Sequence, residues 1–125
     1  MMRYIGLGFS VCIIIVFSGL TLADGDLANG EEIFKKCAAC HSLNAGESKI
    51  GPTLHGVFGR ESASVDGFPY SIAMKNLGIV WDEELINEYL KNPTMFVPGA
   101  RMLTGGIADD EQRHDLIQYL KEATK

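Results

Sequence analysis

The sequence predicts an all-α protein, and three observations support this prediction. In three stretches of the 125-residue chain, apolar residues recur three or four positions apart, the spacing of one face of an α-helix. No stretch alternates between apolar and polar residues as a half-buried strand would. Segments rich in glycine and proline, which are typical of loops, separate the periodic stretches. We therefore expect helices joined by irregular connections.

The first predicted helix covers about residues 26–39. Leu27, Gly30 and Phe34 lie three or four positions apart and share one face of it. A long loop over residues 42–66 follows, interrupted by several glycines and a proline. A structureless loop of this length is unusual in a small domain unless it wraps around something.

Three further helices are expected. A short one covers residues 71–76, and a longer one starts after Asp82, a suitable N-cap, and is ended by Pro93. The last begins at Asp109, has acidic residues in its first turn and finishes near Lys125, as the helix dipole favours. The side chains that this helix should bury are Leu116, Ile117, Tyr119 and Leu120.

The first 23 residues are interpreted as a signal peptide. Arg3 gives a positive start, residues 4–23 carry no charge, and small residues lead up to Ala23, after which we expect cleavage. The alternative is an uncleaved membrane anchor, since about 20 uncharged residues in a helix could span a bilayer core. Cys12 lies inside the segment, where it serves as a small apolar residue.

Residues 24–125 form the expected single domain. Without Arg3 it keeps 10 basic residues against 16 acidic ones, a net charge of −6. Nucleic acid and anionic membrane surfaces are poor partners for such a domain.

Two cysteines and a histidine carry the strongest functional signal. Cys37, Cys40 and His41 have the Cys-x-x-Cys-His spacing of covalent haem c attachment, in which the histidine becomes an axial ligand of the iron. A zinc site would need four ligands, and only His55 and His114 remain as candidates after residue 41. A thioredoxin-like pair would follow a strand, and a disulfide would leave the histidine unexplained.

A sixth iron ligand is expected from one of the methionines of the domain. Met74 and Met95 lie in helical stretches, where a role as filler in the core or at the surface accounts for them. Met102 follows a Pro-Gly turn that can direct its side chain inward. A His/Met pair leaves no open coordination position, which favours electron transfer over oxygen activation.

These motifs together resemble class I cytochrome c, over residues 24–125. Besides the attachment motif, the matching runs are residues 51–60, Asn92-Pro93, residues 98–102 and residues 115–120. The resemblance implies the cytochrome c fold, in which the N- and C-terminal helices cross and short helices and loops wrap around one covalently bound haem. Gly30 and Phe34 should then meet Leu116 and Tyr119.

The resemblance also implies individual roles. Pro52 should accept a hydrogen bond from the His41 ring, and Tyr89 should lie beside the sulfur of Met102. The residues expected to hydrogen-bond the haem propionates are Arg60, Tyr70 and Trp81.

The predicted function is single-electron transfer, without enzymatic activity, in a respiratory or photosynthetic chain. A membrane redox complex should donate the electron and a terminal oxidase or another redox protein should accept it, through transient contacts with a periplasmic monomer. The docking face is expected around Met95, Ala100 and Thr104. The alternatives are a carrier or complex subunit anchored to the periplasmic face of the inner membrane by residues 4–23, or a haem peroxidase-type enzyme with an open iron site.

Overall fold

A computed structural model describes residues 25–125 of the chain, and the predicted signal segment lies outside them. The described part is all-α, as expected, with one isolated bridge between Glu61 and Val80 as its sole strand-like pairing. No helix in this part is long and apolar enough to cross a bilayer. Its helices are α1 (Leu27–Phe34), α2 (Ile72–Lys75), α3 (Glu83–Lys91), α4 (Pro93–Phe96) and α5 (Asp110–Ala123).

Each helix begins at a side chain that caps it. The expected cap of α3 is confirmed, since Asp82 accepts a hydrogen bond from the backbone N–H of Leu85 at 2.8 Å. Asp109, where the last helix was expected to begin, caps α5 and accepts a hydrogen bond from the Gln112 N–H at 2.8 Å. These bonds satisfy backbone donors that have no partner inside the helix. The caps of the other helices are Asp26, Ser71 and Asn92.

Helix α1 is shorter than predicted. Instead of continuing to Ala39, it ends at Phe34, and the chain goes on in tight turns. The amide groups of Lys35 and Lys36 bond to carbonyls three residues back, which narrows the last turn. The sequence contains no signal for this change, because lysine and alanine both favour helix.

Helix α3 ends before Pro93, as expected: its last residue is Lys91 and its C-cap is Asn92. Pro93 also opens α4, at its first position. Proline suits that position because the first helical N–H has no intrahelical partner to lose.

Helices α1 and α5 cross at Gly30, as the resemblance implied. A Cβ atom added to Gly30 would lie 2.2 Å from the Asp115 carbonyl oxygen and 2.7 Å from the Tyr119 Cβ. Phe34, Leu116 and Leu120 form a buried cluster along the crossing. Glycine is required here because any larger residue would push the helices apart.

A second buried cluster lies between α3, α4 and the loop that follows α4. Trp81, Ile86, Tyr89, Val97 and Ile117 are among its members, and the Met102 side chain packs against it. This cluster places the predicted sixth ligand next to the core.

Candidate functional site

The two cysteines lie in the turns that follow α1. Both are free thiols and both are half-buried. Backbone bonds hold the segment in place, since the amides of Cys40 and His41 both bond to the Cys37 carbonyl at 3.0 and 2.9 Å. Burial raises the pKa of the Cys37 thiol, Cys40 raises it further and Lys36 lowers it by less. Because the net shift is upward, Cys37 is a neutral thiol at pH 7.

The His41 ring is fixed on one side by the loop that begins at Gly51. Its Nδ1 lies 2.8 Å from the carbonyl oxygen of Pro52. A carbonyl can only accept a hydrogen bond, so Nδ1 carries the proton and Nε2 keeps its lone pair for a metal. Burial lowers the pKa of His41. The hydrogen bond to Pro52 raises this pKa by less, and the charge of Arg60 lowers it further. The imidazole is therefore neutral at pH 7, as ligation requires.

Gly51 brings the loop against the histidine, a role that the sequence analysis did not assign. A Cβ atom at Gly51 would lie 2.3 Å from Cε1 and 2.8 Å from Nε2 of His41. No side chain larger than hydrogen fits there without moving the ring. The Gly-Pro pair was noted as part of a family motif, but the close contact depends on the tertiary fold and has no local signal.

The predicted propionate ligands lie near one another in the structure. The backbone N–H of Trp81 donates to the Arg60 carbonyl at 2.9 Å. Burial lowers the pKa of Arg60, and the nearby Tyr70 opposes this effect in part. The Arg60 Nη1 donates to the carbonyls of Thr53 and His55, each at 2.9 Å. Their contact with haem propionates stays a prediction.

Met102 and Tyr89 face each other across the second cluster. The Tyr89 hydroxyl lies 3.3 Å from the Met102 sulfur, to which it donates. Burial raises the pKa of Tyr89 to about 12, so the phenol keeps its proton at neutral pH. The Tyr89 ring also packs on Trp81, with ring centroids 5.2 Å apart. The thioether is thus held by a protonated donor in a largely apolar setting.

The expected docking face needs one correction. Ala100 is buried at 8 % exposure, because its amide closes a turn on Val97 inside the second cluster, so it cannot form the centre of a contact surface. Met95 and Thr104 are exposed, and Leu103, which the sequence analysis did not single out, is 84 % exposed.

Arg113 is a second residue that the sequence analysis missed. It is 2 % exposed and forms four hydrogen bonds, two of them to backbone carbonyls just before α5. A charged residue in a polar helical stretch is expected on the surface, so nothing in the sequence marks it as buried.

The chemistry of these side chains fits a covalently attached haem. Two free thiols are separated by two residues, a neutral imidazole follows them directly, and a soft thioether is available from another segment. Nitrogen and soft sulfur are the donors that c-type haem iron takes.

Comparison with known proteins gives a consistent result. The cytochrome c family model matches residues 27–124. Cytochrome c of Stellaria longipes is 48% identical over 104 residues, which cover 82% of this chain and 96% of that protein. Cytochrome c2 of Blastochloris viridis is 46% identical over 98 residues, covering 78% of this chain and 77% of that protein. Cytochrome c of Gibberella zeae is 45% identical over 106 residues, covering 83% of this chain and 100% of that protein. The chain therefore belongs to the cytochrome c family, as a class I member that carries electrons with covalently bound haem c.

Proposed function

We propose that this protein is an exported single-electron carrier whose haem iron is six-coordinate, with His41 and Met102 as axial ligands. The observation that supports this most directly is the position of the Met102 sulfur, which accepts a hydrogen bond from buried Tyr89 at 3.3 Å. Haem c, when bound, supplies the one-electron couple of its iron.

The residues of the chain prepare the two sides of the iron differently. The Pro52 carbonyl fixes the tautomer of His41 and makes the imidazole a stronger donor, as hydrogen-bonded metal ligands are. Tyr89 withdraws electron density from the thioether and restricts its orientation. Two protein ligands leave no position for a substrate, which favours electron transfer over peroxidase chemistry.

A methionine substitution tests the ligation. In haem-loaded Met102→Ala the sixth position should open, so the ferric protein should bind cyanide more tightly and its reduction potential should fall, because a ligand that favours ferrous iron is gone. Met95→Ala is the matched control, since Met95 is 76 % exposed and should leave both properties unchanged. An unchanged spectrum and potential in Met102→Ala would refute the assignment.

The proposed partners are a membrane redox complex as donor and a terminal oxidase or another redox protein as acceptor, in a respiratory or photosynthetic chain. Exposed apolar side chains flank Met102 in sequence: Met95 precedes the Pro-Gly turn and Leu103 follows directly. A surface with few charges suits a small, transient contact between a monomeric carrier and its partner. Electron transfer should therefore depend only weakly on ionic strength.

Export is proposed from the sequence of the first 23 residues. Cleavage after Ala23 would release the domain into the periplasm, whereas retention would anchor it to the periplasmic face of the inner membrane. Intact mass spectrometry of native haem-loaded protein distinguishes the two. A chain that keeps residues 1–23 and occurs only in membranes would overturn cleavage.

A further inference from the structure

Arg113 is a buried charge in α5 whose hydrogen bonds all go to protein acceptors. Its Nε donates to the Asn87 side chain in α3 at 2.9 Å, and its Nη1 donates to the carbonyls of Ile107 and Ala108 at 2.6 and 2.8 Å. Its Nη2 pairs with Asp110, one turn earlier in α5. Burying a charge is unfavourable unless it is fully hydrogen-bonded, so this arrangement has a structural cost that calls for a reason.

The two carbonyls belong to the segment that carries Met102. Between Met102 and α5 the chain has no helix, and its far end is anchored on α3. The Ile107 amide donates to the Leu90 carbonyl at 2.8 Å. Gly106, at φ +78°, passes so close to α3 that a Cβ there would lie 2.4 Å from the Lys91 carbonyl oxygen. Arg113 of α5 binds the Ile107 and Ala108 carbonyls at the same anchor, so the anchor is tied to both α3 and α5.

The near end of the segment is held separately. The Arg101 Nη1 donates to the Pro69 carbonyl at 2.7 Å, and Ala100 is buried in the second cluster. Between these two attachments the chain is exposed from Leu103 to Gly105. The far anchor is therefore one of the two attachments that hold the segment carrying Met102 against the protein.

We propose that Arg113 is a positioning residue for the sixth iron ligand: by clamping the carbonyls of Ile107 and Ala108 it keeps the Met102 segment closed. The inference rests on the proposed function, because it takes Met102 as an axial ligand. Arginine suits this role because Nε, Nη1 and Nη2 donate from three separate positions of a rigid fork, whereas the three donors of lysine share one nitrogen. Without the clamp, the segment opens more often and outside ligands reach the iron more easily.

The test is imidazole binding to the ferric, haem-loaded protein. An external ligand must wait for the open form, so its apparent dissociation constant is the intrinsic constant divided by the open fraction. Arg113→Lys should lower that apparent constant by about tenfold or more, the scale of losing one or two charge-assisted hydrogen bonds. Lys121→Met is the matched control. Lys121 also links α5 to α3, through Glu83 at 2.8 Å, but its ammonium does not bond to the segment that carries Met102.

A double variant separates positioning from general destabilisation. In the Met102→Ala background no methionine has to leave, so adding Arg113→Lys should not change imidazole affinity. If Arg113→Lys changes affinity equally in both backgrounds, or in neither, the proposal is overturned. If Met102→Ala itself binds imidazole no more tightly than the unchanged protein, the ligand assignment has failed and the proposed function with it.

Two further measurements keep the proposal testable if Arg113→Lys does not fold. Asn87→Ala removes one acceptor of the guanidinium and should lower the apparent constant in the same direction by a smaller factor. Hydrogen exchange at the Ile107 amide should also accelerate in Asn87→Ala, whereas exchange at the α1 amides should not. Unchanged exchange and unchanged imidazole affinity in that variant would refute the role of Arg113.

Discussion

Substitution of Gly30 by alanine should destabilise the fold severely. The new Cβ would lie 2.2 Å from the Asp115 carbonyl oxygen and 2.8 Å from its carbonyl carbon. Non-bonded heavy atoms rest about 3.5 Å apart, so α1 and α5 would have to separate by about 1 Å. The obstacle is backbone, which cannot rotate away as a side chain end can.

The expected loss of stability follows from opposing effects. Overpacking of this kind costs about 1–3 kcal/mol or more, and the helix preference of alanine over glycine returns about 1 kcal/mol. Separation also strains the bonds that the buried Asp115 carboxylate accepts from the Asp26 amide at 2.8 Å and the Asn29 side chain at 2.7 Å. Each such bond contributes about 1 kcal/mol. We expect the free energy of unfolding to fall by about 2–3 kcal/mol, and the melting temperature by about 10–20 °C.

Denaturant and thermal unfolding of the haem-loaded protein measure this loss. Gly105→Ala is the control, because a Cβ at Gly105 would meet no atom within 4 Å. The control should unfold within about 0.5 kcal/mol of the unchanged protein, as surface substitutions do. A Gly30→Ala protein as stable as the control would show that the helices do not cross as closely as the structure has them.

Three other predictions concern the site, the acid stability and the docking face. Gly51→Ala should tilt the His41 ring by placing a Cβ 2.3 Å from Cε1, weaken its hydrogen bond and so raise the reduction potential measured by voltammetry. The hydrogen bond from Lys121 lowers the pKa of Glu83 below its usual 4.5. The ionised carboxylate therefore stabilises the fold above pH 4.5, and this stabilisation is lost as the pH falls through the lowered pKa. Glu83→Gln should flatten the acid side of the profile of stability against pH. Met95→Lys should make electron transfer to the native acceptor more sensitive to salt, as stopped-flow kinetics would measure.

Each of these has a matched control or a contradicting result. An unchanged potential in Gly51→Ala would contradict the close contact with the histidine. Glu84→Gln alters the neighbouring acid, which makes no side-chain hydrogen bond within residues 25–125, and an equal flattening there would point to general charge. Val80→Lys adds a cation at another exposed apolar position, and an equal change in its salt slope would show that net charge controls association.

Local signals predicted most of the fold. Asp82 was identified as the cap of α3 and Asp109 as the start of α5, because a helix start depends on one side chain and the amide three residues later. The face of α1 was recognised by the spacing of Gly30 and Phe34. The end of α1 was not, since the tightening after Phe34 arises where the chain turns toward the attachment motif and not from residue preference.

The parts of the site that the sequence did not predict depend on long-range contacts. Gly51 and Arg113 act through residues from other parts of the chain, and glycine and arginine are both common in loops and on surfaces for other reasons. Ala100 was expected in the docking face around Met95 and Thr104. Its burial follows from the second cluster, which single positions do not reveal.

The two sides of the proposed iron site are held by different means. His41 directly follows Cys40, whose thiol is a covalent attachment point in this family, and its ring is enclosed by Gly51 and Pro52. Met102 lies in a segment without helix, so its position depends on the hydrogen bond from Tyr89 to its sulfur, on packing against the second cluster and on the attachments at the two ends of the segment. The closed form is therefore set in part by contacts far from the sulfur, and among them the Arg113 hydrogen bonds are buried, so water does not readily replace them. A carrier built in this way can change how firmly its sixth ligand is held without any change to the attachment of its cofactor.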